Sequence, residues 1–137
     1  MKDTMSPLQL EQLVVEKLEF NRTKFELSDS SLELKLEVEI MQEISENQDR
    51  NIEIYKTSLI QTGVKSDEFN FTVKLTGIFS LNLSHDLTEE EKEFIISKNT
   101  VAILMPYLRS QVTLLTSQPG LQQIMLPIFN VGNFDNQ

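Results

Sequence analysis

A chain of 137 residues with a formal net charge of −9 and no cysteine is read as one domain, residues 1–137, large enough for a core of its own but without disulfides or thiol-ligated metal. Its charge repels phosphate backbones and anionic lipid heads, which excludes nucleic acid as the expected partner. No secretory leader stands in "MKDTMSPLQL" and no run of about eighteen apolar residues offers a membrane span, so the expectation is a soluble, cytoplasmic protein.

The first predicted strand lies within residues 10–21, "LEQLVVEKLEFN". Val14 and Val15 stand side by side there, so a bulge or a strand touched on both faces is expected. The second covers residues 31–45, where Leu32, Leu34, Leu36, Val38 and Ile40 alternate with Glu33, Lys35, Glu37 and Glu39. That strict period of two is a strand signature. After a polar turn, "ENQDRN", the third strand spans residues 51–61, apolar first at Ile52 and Ile54 and then, in the other phase, at Tyr55, Leu59 and Ile60.

The fourth strand, residues 68–82, sets Phe69, Phe71, Val73, Leu75, Phe79 and Leu81 on one side and Asn70, Thr72, Lys74, Thr76 and Ser80 on the other. Gly77 predicts a bulge or a close backbone approach. Short links without helices favour an antiparallel meander.

Helix is expected from Thr88, because "TEEE" places an N-cap hydroxyl three residues before Glu91 and an acidic first turn on the helix dipole. After "SKN" a second helix follows, with Val101, Leu104, Met105, Leu108, Val112 and Leu115 in one stripe that Ile103, Tyr107 and Leu114 widen. Pro106 is expected to kink it and Pro119-Gly120 to stop it. The tail from Leu121, with Pro127 and Gly132, is expected to be extended. The fold class is α+β, a four-stranded antiparallel sheet followed by two helices.

Charge is unevenly spread. Residues 1–98 hold 11 of the 12 basic and 20 of the 21 acidic residues, leaving only Arg109 and Asp135 in the last 39 positions. So bare a segment is expected to be covered. Areas make the same point: four strands of about ten residues present a face of roughly 650 Å², whereas an eighteen-residue helix shadows roughly 270 Å². The subunit has more apolar surface than its helices cover, which implies self-association, apolar partners, or both.

The run "LTGIFSLNL" from Leu75, the segment "ILMPYLRSQVTLLTSQPGLQQIMLPIFNV" from Ile103 and "ELKLEV" from Glu33 together resemble the SecB protein-export chaperones. That family carries a Gly-Ile-Phe-Ser strand end, a Phe/Met-Pro-Tyr-x-Arg helix and a closing Leu-x-Pro-x-Asn segment in this order. The resemblance implies a four-stranded sheet followed by two helices, assembly as a dimer of dimers (a homotetramer), and an ATP-independent holdase that keeps unfolded preproteins export-competent in apolar grooves. It places client contact on Leu34, Leu36 and Val38, and on Leu114, Leu115, Leu121, Ile124 and Leu126. Taken alone, alternation over residues 32–40 describes ordinary core, and the stripe from Val101 to Leu115 describes core and subunit interface. Members of the family dock on SecA partly through outward carboxylates and partly through a C-terminal tail. This chain has Asn70, Thr72 and Lys74 at the outward positions of its fourth strand and a short tail, "GNFDNQ", which counts against SecA. Relatives that chaperone an antitoxin offer an alternative client.

No enzyme is expected and no cofactor. His85, the single histidine, sits in a polar turn with neither a cysteine nor a nucleophile elbow; "EEEKE" lacks calcium-loop spacing; and no Walker-type loop exists among four glycines. Arg109, a cation among apolar neighbours, calls for a structural partner, a helix-end carbonyl or another subunit's carboxylate. The readings outside the chaperone class are a structural acidic homo-oligomer and a small carrier with a lipid-sized cavity.

Overall fold

The structure, a computed structural model, describes residues 6–43 and 51–126. Four strands form, β1 (Leu8–Arg22), β2 (Glu33–Glu43), β3 (Ile52–Lys65) and β4 (Phe69–Asn82), and every neighbouring pair is antiparallel. The expected end of the second strand at Ile44 and Ser45, the turn over residues 46–50, and Pro127 and Gly132 of the tail lie outside the described residues.

The sheet order is β1-β4-β3-β2. β2, β3 and β4 follow one another as expected, but β1 pairs with β4, which converts the predicted meander into a Greek-key arrangement. The cause is not local to any strand. The link over residues 23–32 is pinned across the sheet end by Glu68, which accepts hydrogen bonds from Ser28 N at 2.5 Å, Ser28 Oγ at 2.6 Å and Ser30 Oγ at 2.8 Å. The two Ser28 bonds, helped by Ser30 and Lys65 against the effect of burial, hold the Glu68 carboxyl down at about 2. Asp67, at φ 63°, supplies the left-handed residue of the β3–β4 turn.

Register explains the Val14-Val15 irregularity. Pairing of β1 with β4 slips between Leu10 and Gln12 and again between Val15 and Lys17, so Glu11 and Glu16 are extra residues of two bulges. Each slip resets the phase, and Leu8, Leu10, Leu13, Val15, Leu18 and Phe20 all come opposite core-facing residues of β4. The displaced carboxylates are used on the other face, where Glu16 meets Lys74 Nζ at 3.0 Å and Glu11 accepts Ser80 Oγ at 2.7 Å.

A 3₁₀ turn (Leu83–His85) leads to α1 (Glu89–Phe94), a π-helical turn (Ile95–Asn99) and α2 (Thr100–Thr116). Thr88 Oγ1 accepts from Glu91 N and Glu91 Oε1 accepts from Thr88 N, both at 3.1 Å, so the expected capping box is complete. The expectation of two helices is corrected: backbone hydrogen bonds run on from α1 through the π turn, where Thr100 N donates to Ile95 O, and the three segments make one C-terminal helix. Ser97, Lys98 and Asn99, read as a break, lie inside the π turn, which inserts a residue without ending the helix. α2 also continues through the exposed Pro106. Among the described residues no helix is long and apolar enough to cross a membrane.

The core lies between α2 and the centre of the sheet. Leu59, Val73, Leu75, Phe79, Leu104 and Leu108 are fully enclosed there. Gly77 allows the helix to come close, since a Cβ at that position would stand 2.7 Å from Leu104 Cδ2. It is a close approach and not a bulge.

Candidate functional site

α2 packs on β3 and β4, the two central strands. The edge strands therefore keep apolar side chains on the helix-facing side that the helix does not cover. On β2 these are Leu34, Leu36, Val38 and Ile40, which the register sets opposite Gly63, Gln61, Leu59 and Thr57 of β3. Leu34 is 44% exposed and the other three are half-buried against the core.

The matching wall comes from the helix. Ile103, Tyr107 and Leu114 are four and seven residues apart and so share one flank; Tyr107 is 45% and Leu114 67% exposed. Thr100 lies on the same side, and its Oγ1 accepts from Thr57 Oγ1 of β3, the neighbour of β2, at 3.0 Å. That flank consequently overlooks β2. From Leu34 to Ile40 the strand rises about 20 Å, close to the rise of α2 between Thr100 and Leu114. The two apolar rows bound a groove long enough for about six extended residues. At its Ile40 end it opens into a cleft of about 420 Å³ lined by Ile40 and Ile96 below and Glu89, Lys92, Glu93 and Ser97 at the rim.

The opposite flank of α2 is filled by the chain itself. Arg109 Nε donates to Leu126 O at 3.1 Å, Thr113 Oγ1 to Ile124 O at 3.3 Å, and Ile124 N to Thr116 Oγ1 at 3.0 Å. Arg22, at the end of β1, donates from Nη1 to Gly120 O at 3.1 Å. Arg109 thus has a carbonyl partner, supplied by the tail and not by a helix end. The segment after Gly120 lies extended along the helix, with Leu121 and Ile124 half-buried and Leu126 only 5% exposed.

The residues singled out from sequence accordingly divide into three places. Leu34, Leu36, Val38 and Leu114 border the β2 groove. Leu115 points between helix and sheet, half-buried against the core. Leu121, Ile124 and Leu126 lie on the other flank and are not brought together with β2. Ile40, Ile96, Ile103 and Tyr107 belong to the groove but were not among the residues assigned to client contact. Their signal was present in the sequence: Ile40 continues the β2 alternation, and Ile103 and Tyr107 keep helical spacing with Leu114.

Charge fixes the helix beside the cleft. Glu53 of β3 meets Lys92 Nζ at 2.7 Å and accepts from Tyr55 Oη at 2.8 Å and Gln42 Nε2 at 3.3 Å. Burial raises the Glu53 carboxyl, but the hydrogen bonds from Lys92 and Tyr55 and the Lys92 charge outweigh it, and the net shift is downward. Tyr55 is pushed up by burial and by its bond to Glu53. On the outer face Lys74 sits at the centre, with Asn70 and Thr72 on the same strand and carboxylates such as Glu16 and Glu39 on the edge strands. Among the described residues no three His, Cys, Asp or Glu side chains gather as metal ligands.

Comparison with known proteins adds to this geometry. The model of the family described as preprotein translocase subunit SecB matches residues 2–136. The fold is similar to that of a SecB-like chaperone of Mycobacterium tuberculosis solved in complex with a ChAD peptide from an antitoxin, with TM-score 0.63 and 17% identity over 90% of this chain and 88% of that one. It is also similar to a protein of unknown function from Streptococcus agalactiae, with TM-score 0.58 and 13% identity over 88% of this chain and 96% of that one. No curated protein sequence matches.

Proposed function

The chain belongs to the SecB family, and on that premise we propose that it is an ATP-independent holdase that lodges unfolded polypeptides in the groove between β2 and the β2-facing flank of the C-terminal helix. Members of this family are chaperones and not enzymes. The observation that carries the reading is the row Leu34, Leu36, Val38 and Ile40, the first exposed and the others half-buried, beside the exposed Tyr107 and Leu114. Two neighbouring apolar rows suit an extended segment of undemanding sequence. Aliphatic walls tolerate varied side chains because they ask for burial and not for a particular pattern of hydrogen bonds.

Each contact is weak, at about 25 cal/mol per Å² of apolar area less the cost of ordering the client. Tight holding then requires several grooves on one client, and a dimer of dimers supplies them. Client contact by Leu114 agrees with its place on the groove wall. Leu121, Ile124 and Leu126 contribute from the other flank, where burial of Leu126 makes it a support for the helix more than an open surface. We place the protein in the cytoplasm, with preproteins as clients; SecA is disfavoured as a partner by Asn70, Thr72 and Lys74 on the outer face. The test is suppression of aggregation of an unfolded protein at stoichiometric amounts: protection supports the holdase, and its absence leaves a purely structural acidic homo-oligomer.

One observation favours a second reading. The Mycobacterium tuberculosis protein of similar fold is bound to an antitoxin peptide, so a single dedicated client, an antitoxin, is the alternative to a range of preproteins. Affinity confined to one peptide among many unfolded proteins distinguishes it.

A further inference from the structure

The apolar row of β2 stops at Ile40. The next residue on that face, Gln42, donates from Nε2 to Glu53 at 3.3 Å, and Glu53 pairs with Lys92 Nζ at 2.7 Å. Beside this polar end lies the cleft of about 420 Å³, within the range of about 300–1,000 Å³ of sites that enclose a ligand. Its floor, Ile40 and Ile96, continues the apolar groove, and its wall is one flank of the helix, since Glu89, Lys92, Glu93 and Ile96 recur at helical spacing. Apolar packing does not hold that wall in place. α1 has no buried residue, its one apolar residue, Phe94, is 52% exposed, and Lys92 alone is half-buried. Leu87 just before α1 and Ile95 just after it are half-buried against the core, so α1 spans two anchors with Lys92 between them. Among the described residues the one hydrogen bond or ion pair from an α1 side chain to the sheet is that of Lys92 with Glu53, both side chains largely covered. The π turn that follows α1 is of the kind at which helices kink, which leaves the seating of α1 to the ion pair.

We propose that Lys92 is a positioning residue of the groove: by pairing with Glu53 it seats α1 as the wall of the cleft, so that a client running past Ile40 buries one further aliphatic side chain there. This deepens the chaperone reading and rests on it. The occupant is apolar because the floor offers Ile40 and Ile96, while the charge of Lys92 is already met by Glu53 and the exposed Glu89 and Glu93 keep to solvent at the rim. The cleft thus lengthens the client segment held beyond the roughly six extended residues that β2 alone accommodates.

The test uses three peptides: a six-residue alternating apolar run, and the same run extended by three residues carrying one leucine, at the N-terminus in one peptide and at the C-terminus in the other, because a groove admits either direction. Each is titrated onto the wild type, onto Lys92→Met, which keeps the stem and removes the charge, and onto Lys92→Arg. On the wild type at least one extended peptide should bind about three- to tenfold tighter than the short one, the worth of one partly buried leucine less its ordering. Lys92→Met should lose that gain and bind the short peptide as the wild type does, and Lys92→Arg should keep it. No gain on the wild type, or gains that all survive in Lys92→Met, overturns the role of Lys92. So does equal weakening of short and extended peptides in Lys92→Met, which makes the ion pair a support of the fold and not of the cleft. Failure of the short peptide to bind the wild type overturns the groove itself, an outcome separable from binding without a gain.

Discussion

The ring of Phe71 lies across Gly63: a Cβ added at Gly63 would stand 2.1 Å from Phe71 Cε2 and 2.5 Å from its Cζ. The two residues are cross-strand partners, and Gly63 is also paired with Leu34 on its other side. The missing side chain therefore lets the Phe71 ring lean toward β2 and makes firm floor beneath the exposed end of the groove. Gly63→Ala should displace the ring and destabilise the fold by about 1–3 kcal/mol, seen as a lowered thermal midpoint. An unchanged midpoint would mean that the ring has space elsewhere.

Leu36 is half-buried at the middle of the groove, opposite Gln61. Leu36→Arg should weaken client binding by tenfold or more while helix content and oligomer size stay as they are, since a long stem can lie along the apolar row with its charge in water. Binding measured by fluorescence anisotropy, with size measured by light scattering, separates the outcomes. Unchanged affinity removes Leu36 from the site, and a dissociated oligomer makes that face a subunit interface.

Glu68 titrates from a folded-state value of about 2 against an ordinary carboxyl value of 4.5. A depressed carboxyl stabilises the fold above its unfolded pKa, and that contribution is lost as pH falls from about 4.5 toward 2. Glu68→Gln should be less stable than wild type at neutral pH and should lose less stability over this acid window. Parallel losses in the two proteins would show that the Ser28 and Ser30 latch does not set acid sensitivity.

Thr88→Ala removes the hydroxyl that caps Glu91 N and leaves the Glu91 side chain bonded to one backbone N–H only. The expected cost is about 1 kcal/mol, and faster amide exchange should be confined to the first turns of α1. The cleft at Ile40 would loosen with it, because Lys92 ties that turn to Glu53.

Strands and helix were legible where one face is uniformly apolar. β2 alternates from Leu32 to Ile40 and β4 on either side of Gly77-Ile78, and the capping box announces the helix start. β3 was readable only in part, because its core face runs Tyr55, Thr57, Leu59, Gln61 and Gly63, a row whose polar members are matched to partners that only the folded molecule supplies. The place of β1 beside β4 rests on the Glu68 latch, made between residues distant in sequence. Continuity of the helix through Ser97, Lys98 and Asn99 rests on a π turn, for which polar residues give no sign. At the groove, the β2 row followed from alternation; the choice of helix flank did not, since the helical stripe alone does not say which side β2 takes, and the tail, by way of Arg109 and Thr113, fills the other one.

The alternation of β2 provides its own control for the central claim. A photo-crosslinking residue at position 36 faces the groove, and one at position 37, its immediate neighbour, faces the outer side of the sheet, where Glu37 meets Lys35 at 3.0 Å. With an unfolded client added at stoichiometric amounts, position 36 should capture the client and position 37 should not. Capture at both positions alike, or at 37 alone, would contradict a client seated between β2 and the helix.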